Sequence, residues 1–242
     1  MIRTTARRSV TLVEMDRHSK RNALDIEHLA GIRGAVEKAA DDGTRVVVIT
    51  GRGTSFSGGA DLDGVYGANF RDALYGTLGA ITSSPVPVVA AVNGPAIGAG
   101  TQLAIACDLR VAAPDAVFAV PTGRNGLAVD PWTVRRLALL AGGGPARALL
   151  LGAASFTAQQ AAAFGLTERL GDLDDAMAWA EEMSNLAPLT LSYSKRALEA
   201  AFEPAAWPAD IDAEFLRCWD SDDAAEARRA RTEKRSPVFQ GR

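Results

Sequence analysis

The 242-residue sequence predicts an α/β fold whose C-terminal part is helical. Continuous β-branched and apolar runs, of which Val46–Thr50 is the clearest, predict buried strands because a parallel sheet is covered on both faces. Amphipathic helical patterns separate these runs, and after Pro131 helical patterns dominate. A hydrophobic content of 48% allows a chain of this length to bury a core of its own. We therefore expect a core of residues 1–187 and a helical region of residues 188–242.

The N-terminal half alternates between strand and helix patterns. Apolar residues alternate imperfectly along Ser9–Met15 and predict a short strand. Asp25 can accept a hydrogen bond from a first-turn N–H, so a helix is expected from there to about Ala40. The elements expected next are a strand, a glycine- and serine-rich loop, a helix, a strand, a short helix and a strand, at Arg45–Thr50, Gly51–Gly59, Phe70–Ile81, Pro87–Val92, Gly98–Ala106 and Asp108–Ala112.

In the C-terminal half, apolar residues recur at spacings of three and four, which is the helical period. Strand patterns are sparse there, so this part of the chain is expected to be helical. The predicted helices are Thr133–Ala141, Pro145–Leu151, Ala158–Phe164, Leu173–Ala187, Thr190–Ala201 and Ala209–Arg235.

Composition excludes several classes of function. The net charge of -3 leaves no dominant basic surface, so nucleic acid is not an expected partner. Cys107 and Cys218 are too few for a disulfide framework or a zinc site, so we expect no metal and a reduced, cytoplasmic protein. No apolar run approaches the roughly 20 residues of a transmembrane helix, and the N-terminus lacks the apolar segment of a signal peptide.

Two glycine-rich turns are candidates for ligand binding. Gly51–Gly59 follows a strand but does not end in the Gly-Lys-Ser/Thr of a phosphate loop. Gly94, Gly98 and Gly100 lack the spacing of the dinucleotide fingerprint. Both turns place small residues between a strand and a helix, where exposed N–H groups can stabilise a developing oxyanion. Ordinary turn glycines remain an equally good interpretation of the spacing alone.

Four motifs in order make the sequence similar to a known family: Arg21–Leu24, Phe56–Leu62, Asn93–Gly100 and Ala106–Arg110. Together they resemble the enoyl-CoA hydratase/isomerase, or crotonase, family over nearly the whole chain. The resemblance implies a spiral of ββα repeats with a C-terminal helical trimerisation region. It also implies a coenzyme A thioester as ligand and no further cofactor.

In that family two backbone N–H groups hold the thioester oxygen, and the resemblance places them at Ala60 and Ala99. Ala99 stands where glycine is usual, but alanine keeps the N–H donor. The family's hydratases have glutamates at the positions of Gln102 and Thr122, where they activate water and deliver the proton. An amide and a hydroxyl do not titrate near neutral pH, so the sequence predicts the loss of hydratase chemistry. Both residues also fit a purely structural interpretation, as a helix amide and a loop hydroxyl.

Asp130 is the one carboxylate that complicates this prediction. Its position resembles that of the Asp that moves a proton in the family's dienoyl-CoA isomerases, which makes it a candidate base. Asp130 also precedes Pro131, and an Asp followed by Pro at the first helical position is the signature of a helix N-cap. Those isomerases also use acidic residues where this chain has Gln102 and Thr122, so the cap interpretation of Asp130 is favoured.

The resemblance also assigns residues to CoA and to the acyl chain. Cations near the nucleotide, and at a subunit interface near the C-terminus, are candidate phosphate contacts, although solvated turns and helix faces have the same composition. Trp132 is a candidate for the acyl pocket, and core packing explains it equally well. The candidate CoA-binding residues are Arg17, Lys20, Arg21, Ala23, Gly59, Asp61, Leu62, Lys234 and Arg235.

The sequence thus predicts a crotonase-fold protein that binds fatty acyl-CoA without hydrating it, like members of the family that serve as carriers or sequestering proteins in fatty acid or mycolic acid metabolism. A homotrimer or hexamer and contacts with fatty acid synthesis enzymes are expected. The main alternative is an active enoyl-CoA hydratase or isomerase that uses Asp130. A third is a scaffold that binds a protein partner and leaves the pocket empty.

Overall fold

A six-stranded sheet forms the centre of the fold. The computed structural model describes residues 1–61, 68–202 and 209–240. The strands are β1 Ile2–Arg7, β2 Val10–Met15, β3 Val46–Gly51, β4 Val88–Val92, β5 Ala96–Ile97, β6 Leu109–Ala112, β7 Val117–Ala119, β8 Ser155–Thr157 and β9 Arg169–Leu170. The six-stranded sheet has the order β1-β2-β3-β4-β6-β9, and a three-stranded sheet has the order β5-β7-β8.

Ten α-helices occur in the described part of the chain. Among the described residues, no helix combines the length and apolar character needed to cross a membrane. The helices are α1 Ile26–Asp41, α2 Ala68–Ser83, α3 Ala99–Ala106, α4 Pro131–Ala141, α5 Gly143–Leu150, α6 Ala158–Ala163, α7 Leu173–Ser184, α8 Pro188–Phe202, α9 Ala209–Trp219 and α10 Asp222–Thr232.

The described residues divide into two compact units. The first comprises residues 1–118 and 156–202 and contains the whole six-stranded sheet. The second comprises residues 119–155 and 209–240 and consists mainly of α4, α5, α9 and α10. The boundary expected between residues 187 and 188 remains a prediction.

The core of the first unit lies between the sheet and α7. Strands β2, β3, β4 and β6 run parallel to one another, and every residue of β3 and β4 is buried. Burial of β-branched side chains on both faces supplies the main hydrophobic stabilisation of such a sheet. One apolar cluster joins the strands to α7 through Val10, Leu12, Val46, Val48, Val89, Ala91, Val111, Ala176, Met177, Ala180 and Met183.

Helix α8 is attached to the first unit by a buried charge. Lys195 is the buried residue of this helix. Its Nζ donates to the carbonyl oxygens of Ile81 and Val86 at 2.8 and 3.2 Å, and to Asp108 Oδ2 at 2.8 Å. Three acceptors satisfy the three N–H groups of the ammonium. Large apolar side chains of α8, including Leu189 and Tyr193, remain exposed.

The expected α/β core and helical C-terminal part are confirmed, and the strands predicted at residues 9–15, 45–50, 87–92 and 108–112 are present. Strand β1 was missed because its side chains are mostly polar: it is an edge strand that pairs antiparallel with β2 and is largely exposed. The single helix expected over Ala209–Arg235 is wrong. The chain breaks there into α9 and α10, because Ser221 caps α10 by accepting from Ala224 N–H.

Candidate functional site

Three segments of the first unit meet beside the carboxyl end of the sheet: residues 17–24, residues 56–61, and the turn of residues 95–102. Leu24 pairs with Ala60 as a short parallel bridge, through Leu24 N–H to Gly59 O at 2.7 Å and Asp61 N–H to Leu24 O at 2.7 Å. A second bridge joins Ser57 to Ala96. The structure therefore brings together the two turns that the sequence singled out.

The direction of the Ala60 N–H follows from the bond made by the preceding carbonyl. Gly59 O accepts from Leu24 N–H, and no peptide bond in the described chain is cis. In a planar trans peptide the C=O and N–H point in opposite directions. The Ala60 N–H therefore points away from Leu24.

The same argument applies to Ala99. Gly98 O accepts the N–H of Gln102 at 3.0 Å, so the carbonyl points along α3 and the Ala99 N–H points back from the helix start. Ala99 is the first residue of α3, and the first N–H groups of a helix have no acceptor within that helix. Such an N–H is suited to bind an oxyanion.

The two turns approach so closely that glycine is required between them. Gly59 has φ +99°, and a Cβ on it would lie 2.7 Å from Ile97 O and 3.8 Å from Ala99 N. A Cβ on Gly100 would lie 2.4 Å from Ser57 O. Both contacts are shorter than a side chain tolerates, so the glycines set the separation of the two predicted donors.

Gln102 lies one turn into α3, and all eight residues of this helix are buried. Its side chain is a neutral amide, which can donate and accept hydrogen bonds but cannot act as a general base. Burial of a carboxylate at the same place would raise its pKa, which is how a catalytic acid is tuned. The structure thus puts an amide beside the Ala99 turn, and its functional role remains a prediction.

The other candidates at the hydratase and isomerase positions lie in the second unit. Thr122 begins a short 3-10 helix, Thr122–Asn125, and is half-buried. Asp130 is the N-cap of α4: its carboxylate accepts from the backbone N–H and the hydroxyl of Thr133. The cap interpretation is confirmed, and the role as a base stays a prediction. The ring of Trp132 lies 5.9 Å from the guanidinium carbon of Arg136, and its place in an acyl pocket stays a prediction.

The predicted nucleotide-binding cations are bonded to carboxylates of the same loop system. Arg17 donates to Asp61 Oδ2 at 2.7 Å and to Ala23 O at 3.0 Å, and it lies 3.3 Å from Asp25 Oδ2. Lys20 Nζ lies 3.5 Å from Asp61 Oδ2. These residues form one cluster next to Ala60 in the chain, and a CoA phosphate would have to compete with these carboxylates for the cations. Their role in binding CoA stays a prediction.

Asp25 joins this cluster to α1. Partial burial opposes ionisation, but hydrogen bonds from the His28 backbone and ring, with the charge of Arg17, outweigh it and hold the pKa of the Asp25 carboxyl below its usual range. Arg21 has φ +53°, and its carbonyl accepts from Gly58 N–H at 2.8 Å, which links the basic loop to the second segment. Leu62, another candidate contact, lies outside the described residues.

The C-terminal candidates belong to the second unit. Arg235 is bonded to Glu226 and Glu233 of its own chain, at 2.5 Å in each case. Glu226 Oε1 also accepts from Val238 N–H at 3.1 Å. These bonds, led by Arg235, lower the pKa of Glu226 to about 2. Arg235 therefore fastens the end of the described chain to α10. The predicted role of Lys234 and Arg235 across a subunit interface stays a prediction.

Sequence reasoning assigned no role to Asn22, which the structure places at the centre of the site. Its side chain is buried, accepts from Arg17 N–H at 2.9 Å, and donates to Arg52 O and Ser55 O at 3.0 and 2.8 Å. The sequence feature that could have identified Asn22 is its place in the Arg21–Leu24 motif. Within the described part of the chain, no group of three or more His, Cys, Asp or Glu could hold a metal ion.

The fold places two strand-to-helix turns side by side at the edge of a parallel sheet, and comparison with known sequences identifies the family. The family model described as enoyl-CoA hydratase/isomerase matches residues 5–242. The chain belongs to the enoyl-CoA hydratase/isomerase, or crotonase, family. The predicted crotonase-like fold is likewise confirmed.

Curated relatives match over the full length. The chain is 48% identical over 244 residues to "Probable enoyl-CoA hydratase echA6" of Mycobacterium bovis, with 100% of each chain covered. It is 33% identical to 2,3-dehydroadipyl-CoA hydratase of Escherichia coli, over 96% of each chain. Among solved structures, methylmalonyl-CoA decarboxylase in complex with 2-nitronate-propionyl-CoA superposes with a TM-score of 0.91, covering 100% of this chain and 98% of that one. At 23% identity this likeness shows the fold alone.

Proposed function

We propose that this protein binds fatty acyl-CoA thioesters and does not hydrate them. The observation that carries the proposal is the combination of two oriented backbone donors, at Ala60 and Ala99, with an amide at Gln102 and a hydroxyl at Thr122. The donors suit the thioester oxygen, which gains negative charge when the carbonyl is polarised. Hydration needs in addition a base to activate water and an acid to protonate carbon. Neither an amide nor a hydroxyl performs those steps near neutral pH.

The proposed role is that of a carrier or sequestering protein in fatty acid or mycolic acid metabolism, in the cytoplasm. Full-length relatives from mycobacteria support a shared ancestry with this chain. In this role the protein would present bound acyl chains to enzymes of fatty acid synthesis and would assemble as a homotrimer or hexamer. Exposed apolar side chains on α8 support such an assembly.

Calorimetric titration with short, medium and long saturated acyl-CoA tests binding, and an absorbance assay with crotonyl-CoA tests hydration. Dissociation constants at micromolar level or below are expected, which corresponds to about -8 kcal/mol. Hydration should not exceed a trace. Robust turnover by the unmodified protein would contradict the proposal, and failure to bind any acyl-CoA would favour a scaffold with an empty pocket.

An active hydratase or isomerase that uses Asp130 is the second candidate, because the names of the relatives include hydratases. The carboxylate of Asp130 already accepts two hydrogen bonds from Thr133, which leaves it engaged as a cap. Asp130→Asn keeps an N-cap acceptor and removes the base. Turnover of unsaturated CoA esters that is lost in this variant, with folding intact, would establish the second candidate.

The matched control is Asp172→Asn, because Asp172 caps α7 in the same way. If both variants change turnover equally, the effect comes from helix capping. If neither variant changes the rate, Asp130 is not the base.

A further inference from the structure

The hydroxyl of Ser57 connects two of the three site segments. The side chain is fully buried, and its Oγ donates to Asn22 O at 2.9 Å. The same oxygen accepts from Gly59 N–H at 3.2 Å. A hydroxyl has one hydrogen and two lone pairs, so the hydrogen and one lone pair of Ser57 are spent on the backbone of neighbouring loops.

The backbone of Ser57 contacts the third segment. Its N–H donates to Pro95 O at 3.0 Å, and its carbonyl accepts from Ile97 N–H at 2.9 Å. Gly100, at the start of α3, packs against the same carbonyl. One residue is therefore bonded to the segment that precedes each predicted donor, Gly59 before Ala60 and Ile97 before the Ala99 turn.

The Gly59 peptide groups are held from both sides. Ser57 Oγ binds the Gly59 N–H, and Leu24 N–H binds the Gly59 carbonyl at 2.7 Å. Gly59 has φ +99°, a region in which glycine alone moves freely. Two bonds on one flexible residue fix the plane of the following peptide, and that peptide carries the Ala60 N–H.

We propose that Ser57 is a positioning residue whose hydroxyl aims the Ala60 N–H at the carbonyl oxygen of a bound thioester. This inference rests on the proposed acyl-CoA function. Removal of the hydroxyl leaves the buried Gly59 N–H without this acceptor, so the Gly58–Gly59 peptide turns to find another. Because Gly59 is flexible, this rotation also shifts the next peptide, which carries the Ala60 N–H. The contact with the thioester carbonyl is then weakened, whereas contacts with the nucleotide and the acyl chain stay unchanged.

The test compares dodecanoyl-CoA with its thioether analogue S-dodecyl-CoA, which lacks the carbonyl. The unmodified protein should prefer the thioester. Ser57→Ala should weaken binding of dodecanoyl-CoA about tenfold, the loss expected for one hydrogen bond, and leave S-dodecyl-CoA within about twofold. Infrared difference spectra of dodecanoyl-CoA with a ¹³C-labelled carbonyl provide a second readout. In Ser57→Ala, the C=O stretch of the bound thioester should move from its value in the unmodified protein back toward its frequency in water.

Ser84→Ala is the matched control, because Ser84 is also buried and its Oγ accepts from an N–H two residues on, that of Val86, at 3.2 Å. This variant should bind both probes like the unmodified protein. If Ser57→Ala does not fold, Ser57→Cys keeps a side-chain γ atom that is a weaker acceptor and should still reduce the thioester preference.

An equal loss for both probes in a folded Ser57 variant, or an unchanged carbonyl stretch, overturns the inference while leaving the proposed function intact. Failure of the unmodified protein to bind either probe overturns the proposed function itself. These two results are distinguishable because the first requires a binding-competent parent protein.

Discussion

Gly59 is the residue with the narrowest steric tolerance in the site. Its φ of +99° lies in the region that favours glycine, and the carbonyl of Ile97 occupies the space that a Cβ would need. The next residue carries one of the two predicted oxyanion donors. A side chain at Gly59 must therefore move either the Phe56–Asp61 loop or the turn before α3.

Gly59→Ala is expected to destabilise the protein by about 2 kcal/mol or more, because strain and a clash combine. It should also weaken acyl-CoA binding. The control is Gly79→Ala in α2, where a Cβ meets nothing within 4 Å and the effect should be a slight stabilisation. Urea denaturation of both variants measures the difference, and equal stabilities would contradict the steric argument.

Gln102 and Thr122 determine, on the proposal above, whether water can react. The double variant Gln102→Glu with Thr122→Glu should hydrate crotonyl-CoA at a measurable rate. Each single variant should give little, because an acid and a base that act as a unit are not additive. Absorbance assays on the three variants check this. If the double variant hydrates crotonyl-CoA no faster than the parent protein, the two carboxylates are not the only groups that the parent lacks for hydration.

Among the elements, α8 depends on one buried ion pair. Lys195→Met leaves the partly buried Asp108 carboxylate without its cation, and the expected loss is about 3 kcal/mol in the free energy of unfolding. Lys38→Met, on the exposed face of α1, should change it by about 0.5 kcal/mol or less. Adding Asp108→Asn to Lys195→Met should recover part of the loss. Equal effects of the two lysine variants in urea denaturation would refute the anchoring role.

The segment after α10 is predicted to loosen in acid. Glu226 has a folded-state pKa of about 2 against an ordinary value of 4.5, chiefly because Arg235 binds its carboxylate. Since the folded pKa is the lower one, the stabilisation is present above about pH 4.5 and is lost as the pH falls to about 2. The amide of Val238, which donates to Glu226, should report this titration in NMR spectra. Glu226→Gln should abolish it; a Val238 titration that persists in this variant would assign it to another group.

On the scale of the whole molecule, the predicted assembly concerns the C-terminal helices. Leu189 and Tyr193 of α8 are 85% and 73% exposed in the single chain, so both side chains are available to pack against another copy. We expect sedimentation to show a trimer or hexamer. Substitution of both residues by Ser should shift the protein toward monomer. A concentration-independent monomer of the unmodified chain would remove the intersubunit role predicted for Lys234 and Arg235.

The sequence alone was sufficient for the family, the α/β core and most helices, because buried β-branched runs, helical periodicity and the order of four motifs are local signals. It also indicated the Asp130 cap, which depends only on residue type and neighbours. The assignment of Gln102 and Thr122 to the glutamate positions rests on the family resemblance and stays a prediction. The sequence patterns did not predict strand β1, because this strand is stabilised by pairing with β2 and has no apolar pattern of its own.

Only the tertiary structure decided which groups each polar side chain meets. No local pattern indicates that Lys195 reaches Asp108, that Asn22 joins two loops, or that Arg17 is bonded to Asp61. The same holds for Ser57, whose hydroxyl binds the carbonyl of Asn22, 35 residues away in the sequence, and the N–H of Gly59, two residues away. Hydrogen bonds act over about 3 Å in space, whereas sequence patterns report neighbours along the chain, so contacts between distant segments become visible only when the chain is folded.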